Sequence, residues 1–143
     1  MSRIISFTGK NDFLSNFYMC EVAYEGRVYP SSEHAFVAAK TIDDDIRAHI
    51  ATIPTAGQVK RYGRSIELRE GWNDIRINEM RKILENKFGD QELMEKLQNT
   101  KPHELIEGNS WGDVFWGESP LGTGRNELGK LLMSIRDDIA RFL

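Results

Sequence analysis

One amphipathic segment, residues 72–88, constrains the fold of this chain more than any other part of the sequence. Its apolar side chains recur at the spacing of a single helix face, and Gly89 follows where a helix can end in a left-handed residue. That face consists of Trp72, Ile75, Met80, Ile83, Leu84 and Phe88. The sequence therefore predicts that the longest helix runs from about Trp72 to Phe88.

Shorter helices are predicted on both sides of this segment. Residues 33–40 and 43–52 have helix-forming composition, and Glu33 places an acid in a first helical turn. Residues 55–58 match a capping box that opens another helix. The last helix has an apolar stripe of Leu128, Leu131, Leu132, Ile135, Ile139 and Phe142. The predicted caps are Ser31 or Ser32, Thr55, Asp90 and Asn126.

Extended segments are predicted near the N-terminus. Residues 3–8 are rich in Ile and Phe, and residues 18–29 alternate around Glu25-Gly26 as a strand, a tight turn and a strand. No repeat, low-complexity run or Pro/Gly/Ser-rich linker divides the chain. A single domain is therefore predicted over residues 1–143.

Composition limits the possible classes of function. With 40% hydrophobic and 29% charged residues, the chain has ordinary globular composition. The lone Cys20 excludes an internal disulfide and favours a cytoplasmic location. Neither a secretory signal nor an apolar stretch of about 20 residues is seen, so no membrane association is expected. A net charge of -3 argues against a broad polyanion-binding surface, although a local basic cluster can hold one or two phosphates.

Residues 105–124 form the most unusual segment, which is predicted to be irregular. It contains five glycines and two of the three tryptophans, together with acidic residues. Asp113 and Trp116 fit two interpretations equally well: contacts to a ligand, or an Asx-turn and a core indole. Residues 122–126 could present backbone N–H groups and Arg125 to a phosphate, or could simply lead into the last helix.

Two further candidates have a structural and a functional interpretation. Glu33 either complements a helix dipole or acts as a carboxylate in a site, and Trp72 is either a core residue or a stacking platform. The three histidines lack metal-ligand spacing, so no metal centre is predicted.

Several separated motifs, in one order, resemble the YbiA/NADAR family of N-glycosidases. The N-terminal motifs are Phe13-Leu14-Ser15-Asn16-Phe17-Tyr18, Ser32-Glu33-His34-Ala35-Phe36 to Lys40, Gly63-Arg64 and Leu68-Arg69 to Trp72. The C-terminal motifs are Asp113-Val114-Phe115-Trp116-Gly117, Gly124-Arg125-Asn126 and Leu128-Gly129-Lys130-Leu131-Leu132-Met133. The resemblance covers nearly the whole chain, from Phe7 to Arg136.

The resemblance implies an α+β fold, a single compact domain that is mainly helical with a small β-sheet. It also implies hydrolysis of the C1–N bond between a ribose and a base, without a metal or redox cofactor. Two substrate groups are associated with the family: ADP-ribosylated guanine in nucleic acid, and phosphoribosylamino pyrimidine intermediates of riboflavin biosynthesis. The expected partner is therefore a small ribosyl or ADP-ribosyl substrate, or an ADP-ribosylated nucleic acid.

The resemblance also assigns site residues. The family's catalytic positions fall on Glu33, Trp72, Asp113 and Trp116. We expect Glu33 to act at C1 and Asp113 to orient the ribose or assist protonation of the leaving base. Contacts to substrate are expected from Asn16, Phe17, Lys40, Arg64, Gly117, Arg125 and Asn126.

The sequence departs from the family pattern at two places. Val37 stands where many relatives have Gln, and Glu118-Ser119 replaces a frequent Asp-Gly, so these positions affect the expected substrate more than the reaction. The competing function is a module that binds ADP-ribose or a related nucleotide without hydrolysing it. Retention of both Glu33 and Asp113 counts against that alternative, because a pure binder of an anionic ligand has no evident need for carboxylates.

Overall fold

The computed structural model describes residues 2–141, which contain six α-helices, four short strands and one 3₁₀ helix over Gly9–Leu14. The strands are β1 Arg3–Ile4, β2 Met19–Tyr24, β3 Arg27–Ser31 and β4 Glu104–Leu105. The helices are α1 Ser32–Ala39, α2 Asp44–Thr52, α3 Ala56–Gly63, α4 Trp72–Lys87, α5 Gln91–Gln98 and α6 Glu127–Ala140. Contacts group these elements into two compact units, one of residues 16–87 and one of residues 2–15 with 88–141.

The unit of residues 16–87 begins with the predicted hairpin. Strands β2 and β3 pair antiparallel, with Tyr24 opposite Arg27. The two turn residues, Glu25 and Gly26, both have positive φ, at 46° and 83°. A two-residue turn of this kind matches the twist of the strands it joins. The register is interrupted between Met19 and Val22, where the pairing shifts.

Helices α1, α2 and α3 follow the hairpin, and each begins at a side-chain cap. Ser31 accepts a hydrogen bond from the third residue after it, and Asp43 and Thr55 do the same at α2 and α3. Helices α1 and α2 lie within one residue of the predicted bounds, and α3 begins directly after Thr55, the first residue of the predicted capping box. Helix α1 is buried along almost its whole length, which explains its short, small-residue sequence.

Helix α4 confirms the predicted long helix and its buried face. Of the predicted apolar face, Ile75 is half-buried, whereas Trp72, Met80, Ile83 and Leu84 are buried. Glu79 interrupts the stripe: its carboxylate accepts a hydrogen bond from the buried Tyr24 hydroxyl and pairs with the Lys82 ammonium at 2.9 Å. This bond joins α4 to the hairpin, against which the helix packs.

The other unit combines a parallel pair of strands with α5 and α6. Strand β1 pairs with β4, with Arg3 opposite Glu104. The predicted strand over residues 3–8 is therefore too long; only two of its residues find a partner strand, and the chain then turns into the 3₁₀ helix. Asp90 caps α5 as predicted, by accepting from the Leu93 N–H at 3.0 Å.

Helix α6 has the predicted apolar face but not the predicted cap. Leu128, Leu131, Leu132 and Ile135 are buried, whereas Phe142 lies outside the described residues. Asn126 stands at the cap position without a side-chain bond to the helix. Its left-handed backbone, with φ of 50°, turns the side chain elsewhere: Nδ2 donates to the Leu105 carbonyl and Oδ1 accepts from the Glu107 N–H.

The architecture is the predicted α+β class, mainly helical, although its strands form two two-stranded sheets instead of one. Within residues 2–141, no helix combines the length and the apolar character needed to cross a membrane.

Candidate active site

The start of α1 holds Glu33 in a fixed backbone position. The backbone N–H of Glu33 donates to the Asn16 carbonyl at 3.0 Å. The residues on either side of it, Ser32 and His34, are completely buried, whereas Glu33 is partly exposed. The positive end of a helix dipole stabilises an acid in the first turn. A partly exposed glutamate is therefore held by a fixed backbone at the start of the helix.

Hydrogen bonds fix both neighbours of Glu33. The Ser32 hydroxyl donates to the Asn16 side-chain oxygen at 2.9 Å. The Nε2 of His34 lies 2.8 Å from the Ile53 carbonyl, which can only accept, so this nitrogen carries the proton. Nδ1 is then the acceptor for the hydroxyl of Ser31 at 2.6 Å. Burial lowers the pKa of His34, which is consistent with a neutral ring.

Three of the aromatic residues in the unit of Glu33 are candidates for the site: Phe17, Phe36 and Trp72. Phe36 follows it by one turn of α1 and packs on Trp72, with ring centroids 5.3 Å apart and planes tilted by 49°. Both rings are almost buried, at 7% and 6% exposure, whereas Phe17 is 43% exposed. The structure thus places Trp72 mainly as support for Phe36. Phe17 is the open ring, and flat bases stack on such rings.

Among the cationic residues in this unit, Lys60 and Arg64 interact electrostatically with Lys40. Lys40, at the end of α1, has its ammonium 5.8 Å from the Phe36 ring centroid, and the Lys60 ammonium is 5.6 Å from that of Phe17. Burial lowers the pKa of Lys40; the Glu33 carboxylate opposes this effect, while Lys60 and Arg64 add to it. Lys60 was absent from the sequence prediction, because a lysine inside a helix of mixed polarity carries no distinguishing signal.

Asp113 lies in the other unit, where it organises the glycine-rich loop. Its Oδ1 accepts hydrogen bonds from the backbone N–H groups of Phe115 and Trp116, at 3.2 and 2.9 Å. Asn109 supports the same turn from both sides: its Oδ1 accepts from the Asp113 N–H, and its Nδ2 donates to the Asp113 carbonyl. The Asx-turn interpretation is therefore correct. Only one carboxylate oxygen of Asp113 forms the turn, and the residue is half-buried.

Trp116 and Arg125 surround the ring of Phe115. The Trp116 ring meets Phe115 edge to face, with centroids 4.8 Å apart. The Arg125 guanidinium lies 4.6 Å from the Phe115 centroid and pairs with Glu127 at 2.9 Å. A surface cavity of about 410 Å³ opens beside them, lined by Val114, Phe115, Thr123, Gly124 and Arg125.

In the turn before α6, the backbone N–H groups of residues 122, 123, 125 and 126 already donate hydrogen bonds within the loop. Carbonyls of residues 114–117 accept from the N–H groups of residues 125–128 at 2.8–3.2 Å. Gly117 is part of this pairing, and a Cβ there would lie 2.0 Å from the Glu107 carbonyl oxygen. Asn126 is 4% exposed and fully engaged with backbone partners. The structure gives Gly117 and Asn126 roles in building the loop.

The two departures from the family pattern have clear structural positions. Val37 is 1% exposed and lies against Gly63, so its position is filled by apolar packing. Ser119 organises a tight turn: its backbone N–H donates to the Thr123 carbonyl at 2.8 Å, and the two hydroxyl oxygens are 2.7 Å apart.

The structure thus brings six predicted residues into the unit of residues 16–87: Asn16, Phe17, Glu33, Lys40, Arg64 and Trp72. It places the other five in the second unit: Asp113, Trp116, Gly117, Arg125 and Asn126. Over residues 2–141, no three His, Cys, Asp or Glu side chains assemble into a metal-binding group.

Comparison with known proteins shows similarity over almost the whole chain. The family model described as the NADAR domain matches residues 6–140. The N-glycosidase YbiA of Escherichia coli is 36% identical, with 96% of this chain and 89% of YbiA covered. The solution NMR structure of that protein matches with a TM-score of 0.84 over 98% of this chain and 87% of the other, at 33% identity.

Two further relatives are similar to this chain, and one of them is much longer. A riboflavin biosynthesis protein of Vibrio vulnificus is 38% identical over 89% of this chain, which spans only 35% of that protein's length. An N-glycosidase of Nostoc punctiforme is 31% identical, with 90% and 86% coverage. The family model and the relatives named N-glycosidase confirm the family and the reaction class that the sequence motifs predict.

Proposed function

This chain belongs to the NADAR family, and from that premise we propose that it hydrolyses the C1–N bond between a ribose and a base, with Glu33 as the carboxylate that acts at C1. The position of Glu33 carries this proposal. It is a partly exposed acid at a helix start, held through its own N–H by Asn16 and flanked by two buried residues. Such a site keeps the carboxylate in place while charge develops on a bound sugar.

The reaction needs a carboxylate because the sugar becomes oxocarbenium-like as the bond breaks. The base leaves with both electrons of the C1–N bond and takes up a proton. Water forms the new bond to C1 and loses a proton, so the products are a ribose with a C1 hydroxyl and the free base. Glu33 stabilises the positive charge at C1 or accepts the proton of the attacking water.

The surroundings of Glu33 suit a ribosyl ligand. Phe17 offers an exposed ring directly after Asn16, and Phe36, backed by Trp72, provides an apolar surface on α1. Lys40 and Arg64 provide positive charge for the anionic part of a substrate. The predicted contributions of Asp113 to the ribose and of Trp116 to the base or sugar belong to the same proposal, and that of Asp113 is tested separately below.

Mass-spectrometric detection of base and sugar release tests this function. The native chain and Glu33→Gln are incubated with an ADP-ribosylated guanine oligonucleotide and with a phosphoribosylamino pyrimidine. Positioned acid–base groups contribute about 100-fold or more to a rate, so we expect Glu33→Gln to lose at least that factor on the substrate that is cleaved.

Glu67→Gln is the matched control, because Glu67 is an exposed carboxylate in the same unit and should leave the rate unchanged. Full activity of Glu33→Gln would remove Glu33 from the mechanism. Binding of both compounds without release of either would favour the nucleotide-binding module.

A further inference from the structure

A single side-chain amide, that of Asn109, fixes the backbone of Asp113 on both sides. Asn109 is only 6% exposed. Its Oδ1 accepts from the Asp113 N–H at 3.0 Å, and its Nδ2 donates to the Asp113 carbonyl at 2.8 Å. These two bonds close a short loop over residues 110–112, in which Gly112 has a φ of 91°. Both polar backbone groups of Asp113 therefore have the same side chain as their partner.

The partners of this amide allow it only one orientation. A backbone N–H donates and a carbonyl accepts, so Oδ1 must face the first group of Asp113 and Nδ2 the second. The Glu107 carboxylate also accepts from Nδ2, at 2.8 Å. The absent side chain of Gly117 leaves room for this contact, since a Cβ there would lie 2.7 Å from Nδ2. The amide is therefore held from two directions.

The carboxylate of Asp113 is fixed by a separate set of bonds. Its Oδ1 accepts from the backbone N–H groups of Phe115 and Trp116. These bonds hold the side chain relative to the turn, whereas those to Asn109 hold the backbone from which the side chain projects. Removing the amide would therefore leave the turn intact and free the backbone of Asp113 to shift.

We propose that Asn109 is a positioning residue for the hydrolysis, which holds the Asp113 carboxylate where it contacts the ribose or the leaving base. The inference rests on the proposed function and on the predicted role of Asp113 in it. Asn109 touches no substrate and acts only through Asp113. Misplacement of a reacting group by about 1 Å can lower a rate about 100-fold, so the loss of the amide is expected to lower turnover.

A double-mutant cycle on the full chain tests this role. The kcat for base release is measured for the native chain, Asn109→Ala, Asp113→Asn and the double variant. The substrates are the ADP-ribosylated guanine oligonucleotide and the phosphoribosylamino pyrimidine. Asn99→Ala is the matched control, because Asn99 is an exposed amide at the end of α5 in the same unit. Thermal unfolding verifies that each variant folds, and Asn109→Ser replaces Asn109→Ala if the alanine variant does not.

We expect Asn109→Ala to lower kcat by about 10- to 100-fold and Asn99→Ala to leave it unchanged. Asp113→Asn keeps the turn but removes the carboxylate through which Asn109 acts. Adding Asn109→Ala to Asp113→Asn should therefore lower kcat by less than about twofold more, because coupled residues are not additive. A merely structural role of Asn109 would instead lower kcat by the same factor in both backgrounds.

Two results would overturn the positioning role. They are a native kcat in a folded Asn109 variant, and an equal loss from Asn109→Ala with and without Asp113→Asn. Either result together with Glu33-dependent release would reject the role of Asn109 and leave the proposed reaction standing. Absence of any Glu33-dependent release from both substrates would reject the proposed reaction itself, and the positioning role with it.

Discussion

The hydroxyl of Ser31 contacts His34 twice: it accepts from the His34 backbone N–H at 3.1 Å and donates to the ring Nδ1 at 2.6 Å. The opposite ring nitrogen donates to the Ile53 carbonyl. Burial lowers the pKa of His34, which favours the neutral ring with Nδ1 as the hydrogen-bond acceptor. The start of α1, and with it Glu33, is therefore built around a neutral histidine.

Acidification should destabilise the fold through His34. Burial holds its pKa below the ordinary value of about 6.5, so the unfolded chain takes up a proton before the folded one. The free energy of unfolding is then unaffected above that value and falls as the pH drops from about 6.5 towards the folded pKa. The unfolding free energy then falls by at most about 1.4 kcal/mol per pH unit through this single group. Urea unfolding at several pH values between 7.5 and 5 measures this slope.

His34→Gln is the control for that dependence. Glutamine does not titrate, so the slope between about pH 6.5 and 5 should disappear even though the overall stability is lower. Glu79 also has a lowered pKa, because the bonds from Tyr24 and Lys82 outweigh its burial, but its contribution is lost only in the carboxylate range. An unchanged slope in His34→Gln would assign the effect to another group.

Replacing Ser31 with alanine should cost more than losing an ordinary helix cap. Removal of an N-cap costs about 0.5–2 kcal/mol, and Ser31→Ala also leaves the buried Nδ1 of His34 without its donor, which adds about 1–3 kcal/mol. Thr55→Ala removes only the exposed cap of α3. Denaturant unfolding should therefore show a larger loss for Ser31→Ala, and equal losses would contradict the second contribution.

A methyl group at Gly63 should separate α3 from α1. Its closest neighbour is the buried Val37, whose methyl carbons would lie 3.0 and 3.2 Å from the added Cβ, so Gly63→Ala is expected to cost about 1–3 kcal/mol of unfolding free energy. Gly57→Ala, on the same helix, meets nothing within 4 Å and should stabilise the protein by up to about 1 kcal/mol. Thermal unfolding of the two variants makes the comparison, and a neutral Gly63→Ala would contradict the close approach.

Two replacements of Asp113 separate its turn from its predicted contact with ribose. Asparagine keeps the oxygen that accepts from Phe115 and Trp116, so Asp113→Asn should unfold like the native chain. Asp113→Ala loses both bonds and about 1–3 kcal/mol. If the carboxylate contacts the ribose, Asp113→Asn should also lose about 10- to 100-fold in hydrolysis rate. A fully active Asp113→Asn would restrict Asp113 to the loop.

Local patterns predict most of the secondary structure because the interactions that fix it are local. The hairpin turn at Glu25-Gly26, the caps at Ser31, Thr55 and Asp90, and the apolar face of α4 each depend on residues within one or two turns of one another. The order of separated motifs also predicts the NADAR family, the α+β class and N-glycosidase activity, which the relatives confirm. The catalytic and binding roles of individual residues, and the cytoplasmic location, stay predictions.

The tertiary structure alone decides what depends on distant partners. Strand β1 stops after two residues because β4, about 100 residues later, pairs with no more of it. Asn126 bonds to Leu105 and Glu107 instead of capping α6, because its left-handed backbone directs the amide towards them. The close approach of α3 to α1 at Gly63, where a Cβ would lie 3.0 Å from Val37 and 3.5 Å from the Lys40 ammonium, likewise depends on packing. The sequence by itself determines which local elements form and which family chemistry they carry. The packing of elements that are remote in sequence determines which side chains share a site. The physical reason is that no periodicity along the chain encodes a contact between distant residues.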